Sequence, residues 1–293
     1  MIIIDRVNYS ELRVVKSISD SSFSIVERLD DGNVVKRIKV PLIVYCLQNG
    51  ISYEDKILYT GAKDVKGIAT PLKAVYERDI CTGYTAEPVY GYNLIEDAHS
   101  PDLSRATNLS RYCDLYCKLE EIVASANKAG IVIPDLCTFQ DVIITNDDDI
   151  KLLDYDGMQI GKNDISLSFA DNLGDYRMYD VLPKFSNGSG SYTTELDKLS
   201  LTLLLFRWVF NLDINVRKRP ELLSFFSLAR FIRIILLNLG IEDEIFFRKV
   251  VNNLSDDQPG AFLADDLKRI TEKYSMSASS QPGGLILKKL TKK

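Results

Sequence analysis

With 293 residues, the chain is long enough for one large domain or two small lobes around a real core. A hydrophobic content of 46% and a charged content of 26% are those of a soluble globular protein, and a net charge of −5 argues against a general nucleic-acid binder. No apolar run is long enough to span a bilayer, the opening MIIIDRV lacks the basic region of a signal peptide, and five scattered cysteines without metal-finger spacing fit a reducing cytosol, so a cytoplasmic location is expected.

Residues 1–40 read as strands at 13–17, 23–29 and 34–40, with Asp30-Asp31-Gly32-Asn33 as a hairpin turn. Ser19, Ser21 and Ser24 lead into Val26. Lys36 and Lys39 fall on opposite faces of the third strand, and Val34 shares the face of Lys36. A helix over about 52–60 carries Glu54 and Asp55, and 67–77 and 79–89 read as two further strands. The single histidine, His99, lies in a polar stretch, which argues against a His-based triad or zinc site. Apolar positions from Leu109 to Ala126 follow helical spacing, with Asn108 as N-cap and Gly130 as stop. Cys113 and Cys117 share a face of that helix and read as core packing.

Residues 129–158 organise the rest. Val142 to Thr145 is a β-branched run, Asn146 to Asp149 a polar turn, and the chain returns as a strand over 150–153. Asp135 precedes this hairpin, Asp141 opens it and Asp154 closes it. Pairing brings Asp141 and Asp154 to one open end with Asp135 close by, which suits a divalent cation plus a base, because hard cations such as Mg²⁺ take carboxylate oxygens. Residues 159–192 are polar with little periodicity. An apolar helix through Phe210 follows Asp197, and 217–274 read as helices, with 225–239 buried and stopped at Gly240, and 265–274 closing the series. The segment 277–293 holds four lysines and no acids and reads as a disordered basic tail.

In this order the residues resemble the motifs of the protein kinase superfamily. Ile133-Pro134-Asp135-Leu136 stands where H-R-D-L would, and Asp154-Tyr155-Asp156 where D-F-G would. The catalytic-loop Asn corresponds to Gln140 when counted forward from Asp135, or to Asp141 when counted back from Asp154; Asp141 is preferred because it keeps a Mg²⁺ ligand. The DYDGM form is similar to that of a group of divergent bacterial kinase-like proteins. Ser19, Ser21 and Ser24 occupy the glycine positions of G-x-G-x-x-G-x-V, ending at Val26, and Val34-Val35-Lys36 resembles V-A-I-K. Glu54 matches the helix-C glutamate, with Asp55 and Glu27 as rivals. Residues 85–94 resemble the hinge, which would turn the Glu87 carbonyl and Val89 amide to the adenine edge beside a small Ala86. Asp197-Lys198-Leu199-Ser200 resembles D-x-x-S, whose Asp holds the catalytic loop. Residues 159–192 match the activation segment, without a clear A-P-E, and the missing His-Arg before Asp135 implies no control by a phosphate there.

The resemblance implies an α+β, bilobal protein-kinase-like fold, with a small β-rich N-lobe over 1–89, a larger mainly helical C-lobe over 90–276 and the tail 277–293. It implies ATP and Mg²⁺ as cofactors and transfer of the γ-phosphoryl group to a Ser or Thr hydroxyl of a protein substrate whose identity stays open. Lys36 would hold the α/β-phosphates, Asp154 and Asp141 would hold Mg²⁺, and Asp135 would take the hydroxyl proton. Ser19, Ser21, Ser24, Val26, Val34, Glu54, Glu87 and Val89 would surround the nucleotide. Serines for glycines, Ile133-Pro134 and Asp156 leave open a catalytically weak or inactive pseudokinase scaffold. A small-molecule kinase of the aminoglycoside or choline type, sharing the Asp…Asn…Asp plan, is the second alternative.

Overall fold

The computed structural model describes residues 4–59, 65–94, 109–138, 140–160, 184–188, 191–210, 212, 225–255 and 258–279. The chain is α+β. Six strands near the N-terminus form one mixed sheet: β1 (Asp5–Asn8), β2 (Val14–Asp20), β3 (Ser24–Leu29), β4 (Val34–Ile38), β5 (Lys73–Glu77) and β6 (Ile80–Ala86), in the order β1-β5-β6-β4-β3-β2. Neighbours are antiparallel except β1 and β5, which run parallel. The β3–β4 turn forms as expected from Asp30-Asp31-Gly32-Asn33: the Asp31 carboxylate accepts from the Asn33 backbone and amide at 2.9 and 3.0 Å.

The third strand stops at Ile38, two residues short of the expected end. The next residues form α1 (Val40–Gln48), which the β-branched Val40, Ile43 and Val44 concealed. Proline in the first helical turn loses no needed N–H. α2 (Tyr53–Leu58) falls inside the expected 52–60, and the Ser52 hydroxyl caps it by accepting from Asp55 N at 3.1 Å. A short β7 (Gly91–Asn93), not foreseen, follows the sheet.

α3 (Leu109–Lys128) matches the expected helix and buries Tyr112, Cys113, Tyr116, Leu119 and Val123. Asn108, its expected cap, lies outside the described residues. Cys113 and Cys117 are free and buried, as core packing requires. After α3 come β8 (Ile131–Val132), a 3₁₀ turn Pro134–Thr138, and the hairpin of β9 (Val142–Thr145) and β10 (Ile150–Leu152). A second 3₁₀ turn, Tyr155–Gly157, leads to β11 (Gln159–Ile160), which pairs with β8. Most of the expected activation segment, 161–183 and 189–190, lies outside the described residues, as do 280–293 of the tail. β12 (Ser186–Gly188) and β13 (Ser191–Tyr192) form a small hairpin before α4 (Thr194–Leu204), which ends in a π-helical turn, Leu205–Val209. α5 (Phe225–Asn238), α6 (Glu244–Leu254) and α7 (Ala264–Ser279) complete seven α-helices among the described residues. None is long and apolar enough to cross a membrane.

Two seams fix the hairpin against the sheet. β7 pairs with β9. Residues just before β5 also bind β10, through Leu152 N to Gly67 O at 2.8 Å and Ala69 N to Leu152 O at 2.9 Å. One apolar core runs from Ile38, Ala74 and Tyr84 of the sheet to Trp208, Phe246 and Leu267 of the helices. Glu120 of α3 binds the start of α7 by accepting from Leu263 N and Ala264 N at 2.7 and 2.6 Å. That capping lets a buried carboxylate hold two distant elements together.

Gly83 decides how β4 lies. An added Cβ would stand 2.1 Å from the Lys36 carbonyl oxygen, on backbone that cannot yield. Gly83→Ala is therefore expected to lower the melting temperature by several degrees, a cost of about 1–3 kcal/mol. An unchanged thermal unfolding midpoint would contradict this packing.

Candidate functional site

Strand alternation sets Lys36 on β4 opposite Val26 of β3 and Tyr84 of β6. Its ammonium reaches out of the sheet and ion-pairs with two carboxylates of the loop after β10: Asp154, and Asp156 at 2.7 Å. Asp154 holds a left-handed backbone, φ 57° and ψ 47°, a conformation Asp tolerates better than most L-residues. Gly157 N donates to the Asp154 carbonyl at 2.9 Å, and a Cβ on Gly157 would stand 2.6 Å from Asp154 Oδ2. A side chain at Gly157 would thus displace the Asp154 carboxylate, and Asp156 stands between the two.

Asp156 is 2% exposed. Its Oδ1 accepts from Lys36 and from the Tyr84 hydroxyl at 3.2 Å, and its Oδ2 from the Tyr53 hydroxyl at 3.1 Å. Burial opposes its charge, yet the Lys36 ammonium, its own backbone amide and the Tyr53 hydroxyl hold the carboxyl below the usual aspartate value.

Asp135, Asp141 and Asp154 line one small cavity with Pro134, Leu153 and Gly157. Leu153 N donates to the Asp141 carbonyl at 2.8 Å, which closes the open end of the hairpin. Asp141 therefore lines the cavity, while Gln140 is exposed and does not. Burial pushes the Asp141 carboxyl up to about 6; the Lys36 ammonium opposes this, and the Asp135 and Asp156 carboxylates add to it. Among the described residues, no three His, Cys, Asp or Glu side chains gather closely enough to hold a metal unaided. Mg²⁺ is commonly held by one or two protein carboxylates, with waters and phosphate oxygens completing its shell.

Asp197, fully buried on α4, accepts from Ile133 N at 2.9 Å and from the Asn127 amide at 2.5 Å. It thereby ties the backbone two residues before Asp135 to α3 and α4. Burial pushes its carboxyl up to about 7, against the Asn127 and Ile133 donors and the Lys198 charge.

Other expected residues sit elsewhere. Glu54 does not meet Lys36; it binds Arg6 at 2.5 Å and the Tyr76 hydroxyl at 2.7 Å. The reason is helical phase: α2 turns Tyr53, Lys56 and Ile57 inward, so Glu54 and Asp55 face away. Glu27, the other rival, is taken by Tyr9 at 2.8 Å and Arg37 at 3.2 Å. Ser19 lies in the β2–β3 ladder opposite Val26. Ser21 Oγ accepts from Ser24 N at 3.0 Å and Phe23 N at 3.3 Å, and Lys39 binds Asp20 and the Ser21 carbonyl, so the turn closes on itself. Val34 pairs with Ala86 across β4 and β6. Glu87 and Val89 line a separate groove of about 570 Å³ with Ile68, Leu72, Tyr90 and Lys151, not the cavity of the three acids. Asp156 was not among the expected site residues; its one sequence signal is a second acid two positions after Asp154.

No protein-family model matches the chain, and no curated protein matches it.

The raised carboxyl of Asp197 makes stability depend on pH. Its folded value of about 7 exceeds the unfolded value near 3.9, so the folded state holds the proton more tightly. That contribution is present below about pH 4 and lost as the pH rises through 7. Asp197→Asn should flatten the fall in melting temperature between pH 4.5 and 7.5 relative to wild type. Parallel curves for the two proteins would show that Asp197 does not titrate there.

Proposed function

We propose that the chain is a divergent phosphotransferase of the protein kinase type, with a small β-rich lobe over 1–89 and a larger helical lobe over 90–276, that moves the γ-phosphoryl group of ATP to a Ser or Thr hydroxyl of a protein substrate. One observation carries this reading. A lysine from the middle of a six-stranded sheet meets the carboxylates of a distant hairpin, in a cluster where Asp135, Asp141 and Asp154 share one cavity.

Each residue has a task that follows from its place. The Lys36 ammonium binds α/β-phosphate oxygens. Asp154 and Asp141 would hold Mg²⁺, which supplies neutralising charge to the β- and γ-oxygens. Asp135 orients the acceptor hydroxyl and takes its proton as the new O–P bond forms and the bond from the γ-phosphorus to the ADP oxygen breaks. Asp197 fixes the loop through the Ile133 amide, so that Asp135 is held in position before substrate arrives. A second reading, nucleotide binding without turnover, is favoured by the serine turn. Its Ser24 and Phe23 amides are spent on Ser21 rather than turned toward a phosphate.

Mg-ATP binding should raise the melting temperature by several degrees in wild type and not in Asp154→Ala, because a ligand selective for the folded state stabilises it by mass action. No shift in wild type, or an equal shift in the variant, would refute the site. Where phosphotransfer is measured, Asp135→Asn should lower turnover about 100-fold or more while the Mg-ATP shift persists. Binding with no transfer in wild type would select the scaffold reading.

A further inference from the structure

The two carboxylates on Lys36 are not equivalent, and the difference assigns them separate work within the proposed nucleotide site. Asp154 is one-third exposed and lines the cavity, so it can turn to a cation. Asp156 lies behind it, buried against the sheet, where Tyr53 and Tyr84 donate to its two oxygens. Burial raises both phenols well above their ordinary value, so they remain neutral donors. The loop around Asp156 is further bound to α2, since Lys56 donates to the Met158 carbonyl and the Tyr155 hydroxyl to the Tyr59 carbonyl at 3.0 Å.

A carboxylate that gives its oxygens to a cation neutralises a nearly buried ammonium less well, so the two demands on Asp154 compete. Lys36 is only 15% exposed, and losing its counter-ion there would be costly. The Asp154-x-Asp156 pair resolves this conflict. We propose that Asp156 is the positioning residue that holds Lys36 toward the nucleotide phosphates, with Tyr53 and Tyr84 fixing its orientation and Glu54 taking no part. Asp154 is then free for the cation while Lys36 keeps a partner. The lysine is locked by its own metal loop, and α2 contributes a tyrosine to that lock instead of an acid.

The test compares full-length wild type, Asp156→Asn, Glu54→Gln and Asp154→Ala by isothermal titration with Mg-ATP and, separately, with adenosine. Asn has the size of Asp and keeps one of the two acceptor oxygens, so Asp156→Asn preserves the volume while removing the charge and leaving one phenol to rotate and accept from the new NH2. Asp156→Asn is expected to weaken Mg-ATP about tenfold or more and to leave adenosine affinity unchanged, because only the phosphate contact depends on Lys36. Glu54→Gln is expected to bind both ligands as wild type does. Tyr53→Phe should weaken Mg-ATP in the same direction by a smaller factor. Asp156→Asn binding Mg-ATP like wild type, losing both ligands equally, or being matched by Glu54→Gln would each overturn the assignment and leave the nucleotide reading intact. Wild type that binds no Mg-ATP would overturn that reading and the assignment with it.

Discussion

The charge of Lys36 is the constraint on which the site depends. An ammonium so little exposed needs carboxylates beside it, and acids close to it in sequence are spent elsewhere: Asp31 on Asn33, Asp20 on Lys39, and Glu27 on Tyr9 and Arg37. The carboxylates come instead from Asp154 and Asp156, more than a hundred residues away. Satisfying one buried charge therefore requires the sheet and the hairpin to meet at a fixed place.

Several features deliver that meeting. Gly83 lets β6 lie tight against β4 under the Lys36 carbonyl. The β7–β9 pairing and the Gly67–Leu152 bond tether the hairpin to the segments that follow β6 and precede β5. Asp197 then holds the loop of Asp135 from below, through Ile133. The cost of this arrangement is visible in the electrostatics. Asp141 and Asp197 both have carboxyls raised by burial, and Asp154 sits in a backbone conformation that most residues avoid. A perturbed acid lining a cavity, as Asp141 does, is a general mark of functional sites.

What could be read from the chain follows from how local each signal is. The β9–β10 hairpin was legible because a β-branched run, a polar turn and a second strand lie within eleven residues. The placement of Asp135, Asp141 and Asp154 came with it, and Lys36 and α3 were legible from alternation and helical spacing. The fate of Glu54 was not. α2 spans only six residues, and its phase is set by which side chains the sheet and the loop after β10 admit, a tertiary fact. Asp156 was hidden for the converse reason: an acid in place of a glycine reads as a lost function until Tyr53 and Tyr84, from two other elements, are seen to hold it. α1 was masked by β-branched residues, and the parallel β1–β5 pairing and β7 depend on partners far along the chain.

The proposed nucleotide-metal site consists of Lys36 and the three cavity acids. Crystals grown with Mn²⁺ and a non-hydrolysable ATP analogue would test it most directly, because manganese takes the oxygen ligands of magnesium and can be located by its anomalous scattering. The expected result is a manganese peak coordinated by Asp154 and Asp141, with phosphate oxygens on Lys36 and the Lys36–Asp156 pair retained. Nucleotide and metal bound away from these residues, with Lys36 still closed on Asp154, would contradict it.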